Sequence, residues 1–157
     1  AASYLTNTIL QEVMRSGTGR STAYSIPANM NIAGKTGTSN DLKDSWFAGF
    51  TGDYLGVFWV GRDDAKPAGV TGSSGALRLW AGLMAEVASE PVLLSRPDSV
   101  ENSWIDDESG LLASELCPSA KSYPFVIGSE PKEQTLCVES SIKKVRHWFD
   151  EIIQEHF

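Results

Sequence analysis

The sequence predicts an α+β fold, an antiparallel sheet portion flanked by helices, on three observations. Two segments of helical periodicity bracket residues 1–89, three short apolar strand candidates lie between them, and the gaps between those candidates are small. Gaps of about two to seven residues cannot hold a parallel crossover, so the strands are expected to pair as antiparallel hairpins.

Taken in order, residues 3–15 place Leu5, Ile9, Val13 and Met14 at helical spacing, with Gly17 and Gly19 as stop signals. Residues 17–27 read as a loop. Strands are expected at roughly 30–38, 45–51 and 55–61. The run Leu55-Gly56-Val57-Phe58-Trp59-Val60 is apolar on both faces, as in a strand covered by helices on each side. After a Gly/Ser-rich loop, Ser73 or Ser74 can cap a helix reaching Val87, with Ala76, Leu79, Trp80, Leu83 and Val87 on one face. Residues 90–140 hold five prolines and read as loop-rich, with a short hairpin between Trp104-Ile105-Asp106 and Gly110-Leu111-Leu112. A last amphipathic helix is expected over 141–156, aligning Ile142, Val145, Phe149 and Ile152. The expected division is 1–89 as one domain part and 90–157 as an acidic extension.

The formal charge of −7 is unevenly placed. Residues 1–89 carry seven Lys/Arg and seven Asp/Glu, whereas residues 90–157 carry six against thirteen. A neutral body with an acidic tail has no basic stripe to neutralise phosphates, so nucleic acid is not an expected partner. No apolar run approaches the roughly 18 residues of a membrane helix, and no signal peptide opens the chain. Ala1-Ala2-Ser3-Tyr4 reads instead as the middle of a helix, so a longer polypeptide is expected.

Only two cysteines occur, Cys117 and Cys137. Their spacing excludes a C-x-x-C zinc or redox pair, and His147 and His156 lie on another segment. One disulfide is expected, closing a loop of about 20 residues and stabilising the fold by about 3 kcal/mol in the chain-entropy model. It favours an oxidising compartment. Two free buried thiols are the alternative. No metal site and no cofactor are expected.

The chemistry concentrates in Ala33-Gly34-Lys35-Thr36-Gly37-Thr38-Ser39. On a strand Thr36 and Thr38 share a face while Lys35 leaves from the other, and all three can meet an anion at the rim of a cleft. Gly37 removes a side chain between the hydroxyls, so a ligand backbone can lie close. An edge strand also offers free N–H groups to an extended peptide or a developing oxyanion. The bland alternative is an ordinary turn with a solvated lysine. A P-loop is disfavoured, because the glycine it needs falls at Asn29 and Gly37 would sit inside the following helix.

Gly34-Lys35-Thr36-Gly37-Thr38, followed closely by Trp46-Phe47-Ala48-Gly49, resembles the third active-site motif of the serine penicillin-recognising enzymes. Gly17-Thr18-Gly19-Arg20, Trp59-Val60-Gly61-Arg62-Asp63 and Gly72-Ser73-Ser74-Gly75-Ala76 narrow the likeness to class A penicillin-binding proteins. Ile105-Asp106, Gly110-Leu111-Leu112, Cys117-Pro118, Gly128-Ser129-Glu130-Pro131 and Cys137 agree with it. The chain is most similar to the 1B type of Gram-negative bacteria, in the C-terminal part of the transpeptidase domain.

The resemblance implies a partial penicillin-binding/β-lactamase-like transpeptidase fold and a role for each matching residue. Lys35 attracts the substrate's terminal carboxylate, the Thr36 and Thr38 hydroxyls bind it beside Gly37, and the Thr38 N–H forms half of an oxyanion hole. The implied ligands are D-Ala-D-Ala stem peptides of peptidoglycan and β-lactams. The remainder of the same polypeptide, with a membrane anchor and a glycosyltransferase domain, and regulatory proteins of the division or elongation machinery are the implied partners. The implied location is the periplasmic face of the inner membrane.

The family needs a Ser-x-x-Lys nucleophile and a Ser-x-Asn motif ahead of Lys-Thr-Gly. No Ser-x-Asn occurs here, and Ser-x-x-Lys occurs only as Ser140/Lys143 and Ser141/Lys144, where a serine is the expected cap of the final helix. The chain is therefore expected to hold half an active site and to lack the nucleophile. A β-lactamase or carboxypeptidase fragment of the same superfamily is one alternative. A non-catalytic peptidoglycan- or protein-binding module is another.

Overall fold

The structure, a computed structural model, describes residues 1–137. The helix expected over 141–156, both histidines and both Ser-x-x-Lys pairs lie outside the described residues. The chain divides into two compact units, one spanning Ala2–Ser95 and a second beginning at Arg96.

In the first unit α1 (Ala2–Arg15) leads through short 3-10 turns to β1 (Ala33–Thr38), β2 (Ser45–Phe50), β3 (Leu55–Val60) and α2 (Ala76–Val87). The strands form one sheet in the order β1-β2-β3, both pairs antiparallel, as the short gaps require. β1 starts at Ala33 rather than residue 30, because Ala28–Met30 coil into a 3-10 turn that ends on Asn31 at φ 48°. Asparagine is one of the few residues that adopts that left-handed conformation readily.

The register sets which side chains meet. Thr36 pairs with Phe47, Gly37 with Trp46 and Thr38 with Ser45, while Phe47 pairs in turn with Phe58. Directly paired residues share a face, so Thr36, Thr38, Ser45, Phe47, Phe58 and Val60 lie on one side. Lys35, Trp46, Ala48, Val57 and Trp59 lie on the other. The core forms on the first side, where Phe47 and Trp80 are fully buried with ring centroids 4.9 Å apart at 60°. A tilted pair of that kind adds about 1 kcal/mol to what burial alone provides. Met14, Ile26, Ile32, Ala76, Leu77, Ala81 and Met84 complete the cluster.

Three expectations about faces are corrected here. β3 is covered on one side only among the described residues, since Leu55, Val57 and Trp59 are 77%, 59% and 45% exposed. α2 buries Ala76, Leu77, Trp80, Ala81 and Met84 and leaves Leu79, Leu83 and Val87 exposed. Its apolar residues run round most of the helix, so periodicity admitted two faces and the Trp80–Phe47 contact selected one. In α1, Ile9 is exposed while Gln11 is buried, because the Gln11 amide donates to the Asn31 carbonyl at 2.8 Å.

The cap of α2 also differs from expectation. Neither Ser73 nor Ser74 caps it; Gly75 is the N-cap residue and offers no side chain. Ser45, wholly buried on β2, accepts from the Ala76 N–H at 2.9 Å and donates to the Thr71 carbonyl at 2.8 Å. Ser73 and Ser74 instead contact the Thr71 hydroxyl.

In the second unit β4 (Val100–Asp106) pairs antiparallel with β5 (Ala120–Val126). The expected hairpin with residues 110–112 survives only as a single Ile105–Leu112 bridge, with backbone bonds from Asp106 N–H to Leu111 and from Ala113 N–H to Trp104. The main partner, β5, went unmarked because it contains Pro124, opposite Asn102. A two-stranded sheet consists of edges, where proline is tolerated. Cys117 and Cys137 form a disulfide with Cα atoms 5.9 Å apart.

Candidate functional site

β1 is an edge of its sheet, and its open side carries Lys35-Thr36-Gly37-Thr38. The Ser39 N–H donates to the Asp44 carbonyl at 3.0 Å, which fixes the phase of the ladder. Hydrogen-bonded pairs alternate along an antiparallel ribbon, so Gly37/Trp46 and Lys35/Ala48 are bonded while Thr36 and Thr38 are not. The N–H and C=O groups of Thr36 and Thr38 therefore point to the open edge. Lys35 leaves from the opposite face but wraps round that edge, its ammonium donating to the Thr36 carbonyl at 2.8 Å and lying 3.5 Å from the Thr36 hydroxyl.

Two loops of the same unit meet the strip from the core side. The Thr18 and Thr36 hydroxyl oxygens are 2.7 Å apart. The Gly72 N–H donates to the Thr38 hydroxyl at 2.8 Å. A hydroxyl that accepts such a bond still has its own proton to donate, and acceptance makes that proton a better donor. The fit at Gly72 is close: a Cβ there would lie 2.6 Å from the Gly37 carbonyl oxygen and 2.8 Å from that of Trp46.

The turn after β1 is braced. The Asp44 carboxylate accepts from the Ser39 hydroxyl and from the Trp59 indole N–H, each at 2.9 Å, and the Asp44 N–H donates to the Ser39 hydroxyl at 2.8 Å. That carboxylate is thus engaged in holding β1, β2 and β3 in phase, and the cation of Lys35 is left to face the edge. One ammonium, three hydroxyls and two outward amides gather on a short stretch of strand. Such a set can bind a carboxylate and stabilise an oxyanion. Among the described residues Lys35 makes its hydrogen bonds to Thr36 alone.

All four residues singled out in the sequence, Lys35, Thr36, Gly37 and Thr38, lie together here. Sequence reasoning did not assign roles to Thr18 or to the Gly72 amide. The signal for each was a small residue run beside a helix end, Gly17-Thr18-Gly19 and Gly72-Ser73-Ser74-Gly75, which lets a loop approach a strand. Among the described residues no group of three or more His, Cys, Asp and Glu is placed to hold a metal ion.

Residues 96–135 match the family described as Penicillin-binding protein 1A, C-terminal domain. Penicillin-binding protein 1B of Escherichia coli K12 is 34% identical over 143 residues, covering 91% of this chain and 16% of that protein. Penicillin-binding protein 1A of Clostridium botulinum (strain Langeland) is 34% identical over 154 residues, covering 92% of this chain and 18% of that protein. Among solved structures, penicillin-binding protein 1A of Haemophilus influenzae superposes with a TM-score of 0.70 at 29% identity, over 82% of this chain and 20% of that one. The chain spans less than a fifth of the length of these curated relatives.

Proposed function

Since the chain belongs to the class A penicillin-binding proteins and corresponds to their C-terminal region, we propose that its edge strand is the substrate-carboxylate wall of a peptidoglycan D,D-transpeptidase. The observation that carries this reading is the convergence of the Lys35 ammonium, the Thr36 and Thr38 hydroxyls and the outward Thr38 N–H on one edge. Lys35 and the two hydroxyls hold the terminal carboxylate of a D-alanyl-D-alanine stem peptide or of a β-lactam. The Thr38 N–H provides half of the oxyanion hole.

The reaction is acyl transfer. A serine hydroxyl adds to the penultimate D-Ala carbonyl, and the C–N bond breaks as the terminal D-Ala leaves with a proton on its amine. An amine of a second stem peptide then displaces the serine. That serine comes from elsewhere in a longer polypeptide anchored at the periplasmic face of the inner membrane, with a glycosyltransferase domain of its own. The exposed Leu55, Val57 and Trp59 form the surface on which the remainder of that polypeptide packs.

Titration of the 157-residue chain with diacetyl-Lys-D-Ala-D-Ala and with its C-terminal amide tests the reading. The acid is expected to bind at least about tenfold more tightly, as a charge-assisted contact implies, and Lys35→Ala removes the difference. A fluorescent penicillin is expected to leave no covalent label on the chain. Equal affinities for acid and amide overturn the carboxylate assignment. Covalent labelling places a nucleophile within the chain and overturns the half-site reading.

A further inference from the structure

Thr18 meets the strip from outside it, its hydroxyl oxygen 2.7 Å from that of Thr36. The run that presents it, Gly17-Thr18-Gly19, is pinned on both sides to the end of α1. The Gly17 N–H donates to the Glu12 carbonyl at 3.3 Å and the Gly19 N–H to the Val13 carbonyl at 3.0 Å. The Gly19 carbonyl in turn accepts from the Thr22 N–H and hydroxyl. Neither glycine has room for a side chain. A Cβ on Gly17 would lie 2.9 Å from the Cα and from the carbonyl oxygen of Val13, and one on Gly19 would strike the sulfur of the buried Met14. The loop therefore holds the exposed Thr18 side chain in one place, independently of β1.

We propose that Thr18 is a positioning residue of the strip: it donates to the Thr36 hydroxyl and so turns the Thr36 proton outward to the bound carboxylate. The inference rests on the strip's reading as a carboxylate wall and adds what aims one of its two hydroxyls. A hydroxyl has one proton and two acceptor sites, so Thr36 gives its proton either to Thr18 or to a ligand. The Lys35 ammonium, 3.5 Å from the Thr36 oxygen, is a donor only and cannot receive it. A carboxylate has no proton to give. With the strip occupied, the bond between the two threonines must therefore run from Thr18 to Thr36. Such a bond also polarises the Thr36 O–H and strengthens its donation to the ligand. Thr38 has the same arrangement with its direction already fixed, because the Gly72 amide can only donate. Two separate loops thus aim the two hydroxyls, one through backbone and the other through the Thr18 side chain.

Calorimetric titration of the 157-residue chain with diacetyl-Lys-D-Ala-D-Ala and with its C-terminal amide tests the proposal. Thr18→Val keeps the volume of the side chain and removes its proton. It is expected to weaken the acid about fivefold, the size of one hydrogen bond, and the amide by less, so that the preference for the acid narrows. Thr18→Ser keeps the hydroxyl and is expected to keep the preference. Thr36→Val supplies a second arm: on that background Thr18→Val is expected to change nothing further, since Thr18 acts only through Thr36. Losses that add in the double variant mean that Thr18 touches the ligand itself, and they overturn the proposal. So do an unchanged preference in Thr18→Val, an equal loss for acid and amide, or a loss of the preference in Thr18→Ser. An unmodified chain that does not distinguish acid from amide removes the strip's reading as a carboxylate wall, and the proposal with it.

Discussion

The Gly72 amide donates to the Thr38 hydroxyl at 2.8 Å, across 34 residues of sequence. The loop before α2 thereby holds the last hydroxyl of the strip in place, and it can do so only because residue 72 has no side chain. A Cβ there meets backbone atoms of both Gly37 and Trp46 at 2.6 to 2.9 Å, and backbone cannot swing aside as a flexible side chain can.

Gly72→Ala is therefore expected to lift the 71–74 loop from the sheet and release Thr38. The cost falls in the range of about 1–3 kcal/mol for overpacking at a tight site. Urea unfolding reads the stability loss. A parallel titration with a D-Ala-D-Ala peptide is expected to weaken by more than Gly69→Ala or Gly82→Ala weakens it, and an unchanged affinity for Gly72→Ala contradicts the role given to Thr38.

Ser45 joins two elements in a different way, accepting from Ala76 and donating to Thr71 from a fully buried position. Ser45→Ala strands the buried Ala76 N–H, which costs about 1–3 kcal/mol, while the Thr71 carbonyl keeps its bond from the Gly75 N–H. Ser73→Ala and Ser74→Ala, where sequence alone placed the cap, are expected to cost less than about 1 kcal/mol. Midpoints of urea unfolding at constant slope separate the three.

Asp53 makes a prediction about acid. The Thr51 hydroxyl, first, and then the Ser89 amide and hydroxyl hold its carboxyl at about 2, against an ordinary 3.8. A folded value below the unfolded one means the contribution is complete above about pH 4 and is lost as pH falls towards 2. Unfolding midpoints of the unmodified chain should thus fall more steeply than those of Asp53→Asn across that interval. Parallel curves between pH 4 and 2 refute the assignment.

The Cys117–Cys137 link closes a separation of 20 residues beside β4 and β5. Replacing both cysteines by serine is expected to cost about 3 kcal/mol. Amide exchange in Val100–Asp106 and Ala120–Val126 should accelerate accordingly. Exchange at unchanged rates shows that this unit does not depend on the crosslink.

Much of the first unit was legible in residue order because its signals are local. Short gaps forced antiparallel pairing, and Gly17 and Gly19 marked the end of α1. Lys35, Thr36, Gly37 and Thr38 could be singled out because strand geometry alone puts the hydroxyls on one face and glycine between them. The errors fell where one pattern admitted two answers. α2 is apolar on most of its circumference, so its buried face depended on Phe47, a residue distant in sequence. β5 carries a proline, and only its partner β4 shows that the position is tolerated.

By itself the sequence determined the helices and strands of the first unit, their antiparallel order, the Lys-Thr-Gly-Thr strip and the cysteine pair, since each follows from periodicity, gap length or the chemistry of neighbouring residues. Tertiary structure decided which groups the strip acts with. Thr18 reaches Thr36, Gly72 reaches Thr38, and Ser45 caps α2. Those pairings are separated by 18 to 34 residues along the chain, and no local pattern encodes a contact that arises only when packed elements bring distant loops to one edge.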